Sequence, residues 1–438
     1  MTAGHAPAVS TPGASAPARY HYLDALRAAL MFMGVFVHAS AIGDVRTFRL
    51  IASASNLFRM NGFFVISGFF ASMLVLRYRP GLMVRRRLLS IGVPLVAVLV
   101  LLNPIALWLM YNQHNPHVSL VDYLLGHLAE HPAGPPRYWH LHLWFLIALL
   151  VYTLCSPAVF AALTVLFRTR PFGWVARSRP RTMAGLVTFV LLATLVLQGG
   201  YLFALRPLIE TTPANFVVRS TLQCLPFFVI GMALFLDRQR LLPAFSRPAP
   251  VLLIVCGGLL CAVKLDLAAP LGSELGDELV RAALALAIVV NLFAFFHRFV
   301  NRERPSLRYG ADAAYSVYLL HYALIYVLAA LLGIGANATL PSLLLITALT
   351  FAITLSVHHF LIRRFRVLSV IFNGKINIGK PGGGGAEVRR PAVAADATAP
   401  LRLPGQRSEY RDQPPSPAPV RGDDPYRRRG GRHRAPKA

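Results

Sequence analysis

Ten apolar runs divide most of this chain: residues 22–42, 57–76, 88–110, 141–167, 183–199, 220–236, 251–264, 279–299, 315–332 and 343–362. As a helix, a run of about 20 mostly apolar residues crosses the roughly 30 Å hydrocarbon core of a bilayer. Run 251–264 is short for a span. Composition agrees with a membrane assignment: 55% of the residues are hydrophobic and 14% charged, and the mean hydropathy is +0.54, values that exclude an ordinary soluble domain. The expected fold is all-α, a polytopic integral membrane bundle of about ten transmembrane helices.

The loops give an independent check. Arg79, Arg85, Arg86 and Arg87 follow run two; Arg168, Arg170, Arg177, Arg179 and Arg181 follow run four; Arg238, Arg240 and Arg247 follow run six; Arg302, Arg304 and Arg308 follow run eight. The alternate loops hold few basic residues, Arg137 alone in 111–140, and one carries Asp266, Glu274, Asp277 and Glu278. Because basic loops stay on the cytoplasmic side, this alternation predicts cytoplasmic termini and an even number of spans. Arg27 then lies toward the cytoplasm and His38 toward the outer face.

A net charge of +26 raises the question of nucleic acid. From Gly379 onward there are thirteen Lys/Arg and six Asp/Glu, a contribution of +7, and the remaining +19 sits mostly in short loops beside spans, where topology explains it. The aromatic-interleaved basic patch of a nucleic-acid binder is absent from the sequence. Residues 1–19 read as a flexible leader, 20–375 as the transmembrane domain, and 379–438 as a disordered basic Pro/Gly-rich tail on the cytoplasmic side. Ala39-Ser40-Ala41 resembles a signal-peptidase site, but the stretch before it contains Asp24 and Arg27, so the first span is expected to stay. Cys155, Cys224, Cys256 and Cys261 fall inside apolar runs without zinc spacing or a disulfide framework, and read as small buried apolar residues. A nucleophilic role for Cys224 finds no general base near it in sequence.

The first run carries three groups that lipid does not favour. Arg27 and His38 are eleven residues apart, about three helical turns, so they share a face about 16 Å apart along the axis. Ionisable residues in a span read by default as a functional site. The plainer alternative pairs Arg27 with Asp24 at i,i+3 and makes His38 a bundle histidine. Run two opens with Arg59, which enters the membrane from the outer side and needs an anion or carbonyl partner; Ser67 and Gly68 mark close backbone approach. Run four opens with His140, His142 and Trp144, and run nine carries His321 about a third of the way across. No run holds a carboxylate at mid-depth, and no His/Asp/Glu cluster has metal-ligand spacing.

Tyr22-Leu23-Asp24-Ala25-Leu26-Arg27, with His38 after ten intervening residues, resembles the R-x10-H motif of the membrane acyltransferase-3 family. The resemblance extends to Phe58–Phe70, to His142-Leu143-Trp144-Phe145-Leu146, to Leu225-Pro226-Phe227-Phe228-Val229-Ile230-Gly231 and to Tyr318-Leu319-Leu320-His321, and covers about residues 20–375. Within the family, the order is most similar to the branch that succinylates osmoregulated periplasmic glucans. The resemblance implies an inner-membrane acyltransferase that takes an acyl group from cytoplasmic acyl-CoA, succinyl-CoA or acetyl-CoA, without a metal. The acceptor is a hydroxyl of a periplasmic glucan or another glycan, and membrane lipid surrounds the bundle. It implies His38 as general base. It implies Arg27 or the Arg85, Arg86, Arg87 cluster at the nucleotide phosphates, Arg59 or His142 at the thioester oxyanion, and His321 among the donor-binding groups. One position departs: Ser90 stands where relatives carry an arginine four residues before the proline of the third span, leaving open which arginine meets the phosphates. The alternatives are O-acetylation of a different surface glycan and, from another class, a glycan-precursor flippase, for which the sequence offers no internal repeat.

Overall fold

The computed structural model describes residues 20–130, 133–134, 138–268 and 271–374. The leader 1–19, the tail 379–438 and Arg137 lie outside them. Among the described residues the regular structure is helical. The principal helices are α1 His21–Ala39, α2 Arg46–Arg77, α3 Pro80–Leu101, α4 Asn103–Asn112, α5 Trp144–Leu166, α6 Arg179–Gly200, α7 Ala214–Leu236, α8 Pro250–Lys264, α9 Glu274–Phe299, α10 Pro305–Leu331, α11 Leu340–Ser356 and α12 Arg366–Asn373.

Among the described residues eight helices, some lengthened by an adjoining turn, are long and apolar enough to cross a membrane, nine if the bent pair α3–α4 is counted as one span. The seventh run is α8, whose 15 residues extend only about 22 Å, shorter than the hydrocarbon core. The third run is thus two helices bent by 40°. Pro104, in the first turn of α4, has no N–H to carry the α3 ladder across the break. Other helices begin well before the apolar residues that announce them. The 32 residues of α2 extend about 48 Å, and α10 starts at Pro305, ten residues ahead of its apolar run. Two π-helical turns, Tyr201–Leu205 and Val357–Ile362, extend the spans of α6 and α11.

Helix α1 threads two apolar clusters. Tyr22, Leu23, Leu26, Leu30 and Met31 pack in one with Phe64, Phe69 and Phe293. Val35, Ala39 and Ile42 pack in the other with Phe48, Met110 and Ile325. Lipid is as apolar as these side chains, so their burial alone does not hold helices together; close packing and interhelical hydrogen bonds do. The junction of α2 with α7 is the clearest case. A methyl group on Gly68 would collide with the Phe228 carbonyl oxygen, and one on Gly231 with that of Val65. Ser72 Oγ adds a hydrogen bond to Met232 O at 3.2 Å. The close approach expected at Ser67-Gly68 is therefore reciprocal.

The cysteines divide. Cys224 is buried with its Sγ 3.4 Å from Asn61 Oδ1, and Cys256 is also buried. Cys155 and Cys261 are exposed on the outside of their helices, because each falls on the helical face turned away from the bundle.

Candidate functional site

The face of α1 that carries Arg27 and His38 also carries Met31 and Gly34, at spacings of four, three and four residues, the recurrence of a single helical stripe. Its two ends differ. At the Arg27 end a cavity of about 300 Å³ opens between α1, α2, α3, α5, α10 and α12. Arg27, Ser67, Arg87, Ser90, Asp312, Tyr315 and Asn373 supply its polar groups, and Met31, Phe63, Phe145, Leu146 and Leu149 part of its apolar wall. Arg27 lies 3.7 Å from Asp24, so the i,i+3 pair exists, and the same arginine faces the cavity.

Of the arginine cluster, only Arg87 lines this cavity. Arg85 is exposed, and Arg86 lies over the Tyr78 ring, 4.7 Å from its centroid. Arg87 is one turn before Ser90 on the same face of α3, so it supplies the charge that Ser90 lacks. The carbonyl oxygen of Ser90 lies under Gly374, whose φ of 60° ends α12 and where a Cβ would collide with it.

At the other end two helices and a turn gather the imidazoles. The His38 ring lies 5.2 Å from that of His321 and 5.9 Å from that of His142, and those two lie 5.2 Å apart. Tyr322 packs beside His38 at 4.9 Å and stacks on His142 at 4.7 Å with planes 8° apart. His321, expected a third of the way across and so below His38, is level with it. It is the seventeenth residue of a helix that starts ten residues earlier than its apolar run.

The hydrogen bonds fix one tautomer. His321 Nδ1 lies 2.8 Å from Tyr318 O and 3.1 Å from Val317 O. Carbonyl oxygens only accept, so Nδ1 carries the proton and Nε2, which has no partner, presents a lone pair. His142 is 6% exposed, and among the described residues neither ring nitrogen has a hydrogen-bond partner. The Tyr318 hydroxyl donates to His142 O at 2.9 Å and holds that backbone in place.

Arg59 completes the group. A Cβ on Gly34 would sit 2.8 Å from Arg59 Nη1 and 3.9 Å from His321 Nε2, so the guanidinium occupies the space that glycine leaves open. Among the described residues Arg59 forms no ion pair and no hydrogen bond, and its Nε is buried. An uncompensated cation in such surroundings favours any group on which negative charge develops.

Of the residues singled out in the sequence, His38, His142, His321 and Arg59 lie together at one end and Arg27 and Arg87 at the other; Gly34, Met31, Tyr315, Tyr322, Asp312 and Asn373 were not among them. The helical stripe through Arg27 and His38 contained the signal for Met31 and Gly34. Nothing local pointed to Asn373 or Asp312, which reach the cavity only because α12 and α10 fold back to it.

The family profile described as an acyltransferase domain matches residues 20–359. Glucans biosynthesis protein C of Escherichia coli (strain K12) is 28% identical over 338 residues, covering 70% of this chain and 82% of that protein. Its counterparts in Escherichia coli O81 (strain ED1a) and Escherichia coli O157:H7 are 27% identical over the same coverage. No solved structure matches.

Proposed function

This chain belongs to the acyltransferase-3 family and is a multi-pass membrane acyltransferase, and from that premise we propose that it moves an acyl group from acyl-CoA to hydroxyls of a glucan in the bacterial inner membrane. The observation that carries this reading is the α1 stripe Arg27, Met31, Gly34, His38, which runs from a cavity with a polar, arginine-bearing rim to a cluster of imidazoles. The alternation of basic loops supports this reading: by the positive-inside rule it favours the cavity on the cytoplasmic side, with the donor, and the imidazoles toward the periplasm, with the acceptor.

In this mechanism Arg87 and Arg27 hold the phosphates at the rim, and the apolar wall takes the pantetheine arm. The thioester reaches past Met31 to the Arg59 guanidinium that lies against Gly34. His38 takes the proton of the acceptor hydroxyl as its oxygen attacks the thioester carbon. Negative charge then develops on the thioester oxygen, where the Arg59 guanidinium stabilises it, with an N–H of His142 as a second donor. As the carbon–sulfur bond breaks, the thiolate takes the proton from His38, and the ester and free coenzyme A leave on opposite sides. His321 turns its bare Nε2 toward the same space, fixing the orientation of an N–H brought next to it.

The similarity to glucans biosynthesis protein C supports a glucan as acceptor, and the uncompensated Arg59 is compatible with a succinyl donor. The test uses the full-length protein in lipid nanodiscs with succinyl-CoA or acetyl-CoA and periplasmic glucan, read by mass spectrometry of the glucan. Acylated glucan and stoichiometric release of coenzyme A are expected. A failure to consume either thioester would overturn the reading.

A further inference from the structure

Between α4 and α5, at the end of the bundle that holds the imidazoles, the chain passes through Tyr138, Trp139, His140 and Leu141. Leu141 has φ 45°, a left-handed conformation that a branched residue adopts only at a cost and that surrounding structure must hold in place. Around it His140 and His142 are 1% and 6% exposed, while Trp139 is 52% exposed. The segment is tied down: Asn103 Nδ2, at the start of α4, donates to Trp139 O at 2.8 Å.

The rings of Tyr138, His140 and Phe216, the last from α7, lie with planes within 13° of one another and centroids 5.5 to 6.1 Å apart. Rings at these separations cannot lie side by side in one plane without overlap, so they form a stepped, slipped cluster in which His140, 1% exposed, is the buried member. Trp139 stands at 77° to His140 and 5.5 Å from it, exposed beside these rings. Trp144 closes another edge, perpendicular to Phe216 at 5.8 Å. Phe216, like Trp139, remains open at 42% exposure.

We propose that this aromatic corner is the acceptor subsite, binding the apolar face of a pyranose ring of a neutral glycan. This rests on the reading above that the acceptor is a glycan. One face of a pyranose presents only C–H groups, and the exposed rings of Trp139 and Phe216 offer it aromatic surface while the hydroxyls stay at the rim. An interfacial tryptophan by itself is ordinary aromatic belt. Here a strained and tethered backbone holds several rings in register, and continuity assigns the occupant: the buried His140 stacks with Tyr138 and Phe216, and His142, two residues on, belongs to the imidazole cluster. A sugar on the exposed rings therefore lies beside the segment that carries His142 into that cluster.

A neutral β-gluco-oligosaccharide is the probe, titrated without donor into the full-length protein in nanodiscs. Tryptophan emission should change saturably, and Phe216→Leu, which retains all four tryptophans, should weaken the midpoint about tenfold, the scale of one lost aromatic contact. In the transfer assay Trp139→Leu should raise the KM for the oligosaccharide by a similar factor with the KM for acyl-CoA unchanged, and Trp139→Phe should recover most of the loss. Unchanged binding and unchanged KM in both variants would overturn the assignment. So would donor hydrolysis that falls in parallel with transfer, the mark of a distorted protein. The titration needs no donor, so saturable binding in a wild-type protein that turns over no thioester would keep the subsite and remove the proposed reaction instead.

Discussion

The two ends of the α1 stripe are built on opposite electrostatic plans. At the cavity end, Arg27 and Arg87 share their surroundings with Asp24 and Asp312. At the imidazole end, Arg59 has no carboxylate among the described residues to offset it. A rim with mixed charge holds an anion and lets it go, as suits a substrate that must leave after each turnover. A site whose only fixed charge is positive stabilises negative charge that appears transiently, which raises rate more than affinity. The comparison predicts that substitutions at the imidazole end change kcat and those at the cavity end change the KM for the donor.

The largest effect is expected from His38→Ala. Loss of a general base lowers the rate typically 10²–10⁴-fold, with the variant still inserted and folded, because removing an imidazole from an apolar bundle buries no new polar group. Transfer per folded molecule is the measurement, and normal specific activity would remove His38 from the mechanism.

Gly34→Ala separates chemistry from stability. A Cβ there would sit 2.8 Å from Arg59 Nη1, at the end of a flexible side chain that can move aside, while alanine favours the helix over glycine by about 1 kcal/mol. The variant should melt no lower than wild type and yet lose on the order of 10²-fold in kcat, the usual cost of one misplaced oxyanion donor. If Gly34 acts through Arg59, adding Gly34→Ala to Arg59→Gln should cost almost nothing more. Additive losses would break that link.

Arg87→Ala tests the other end. It should raise the KM for acyl-CoA about tenfold, the scale of a lost charge-assisted hydrogen bond, with kcat recovered at saturating donor. A fall in kcat alone would contradict the division between the ends. The smallest effect belongs to Asp24→Asn. An i,i+3 pair at 3.7 Å, with Arg27 36% exposed, is worth under about 0.5 kcal/mol. Removing that carboxylate should lower the KM for the donor by no more than about twofold, and a clear rise would mean that Asp24 holds Arg27 in its working position.

Much of the fold was legible because a bilayer imposes a length and a polarity on every span. The apolar runs located the spans, and three histidines with an arginine in such runs marked the site. The sequence misplaced what depends on where helices start and bend. His321 was assigned a depth from its apolar run, whereas α10 begins in the polar segment at Pro305. The third run was read as continuous, although Pro104 breaks its ladder. Cys155 and Cys261 were expected inside because apolar composition does not tell a lipid-facing surface from a buried one.

By itself, then, the chain's sequence determined a helical membrane bundle and the residues of one chemical stripe, since hydropathy and 3.6-residue periodicity act locally. Tertiary structure decided the rest. Gly34 makes room for an arginine 25 positions later, Arg87 rather than Arg85 or Arg86 turns into the cavity, and Phe216 completes an aromatic cluster begun at Tyr138. Each of these depends on contact between helices distant in sequence, and in lipid such contacts are selected by close packing and polar matching, which no single segment encodes.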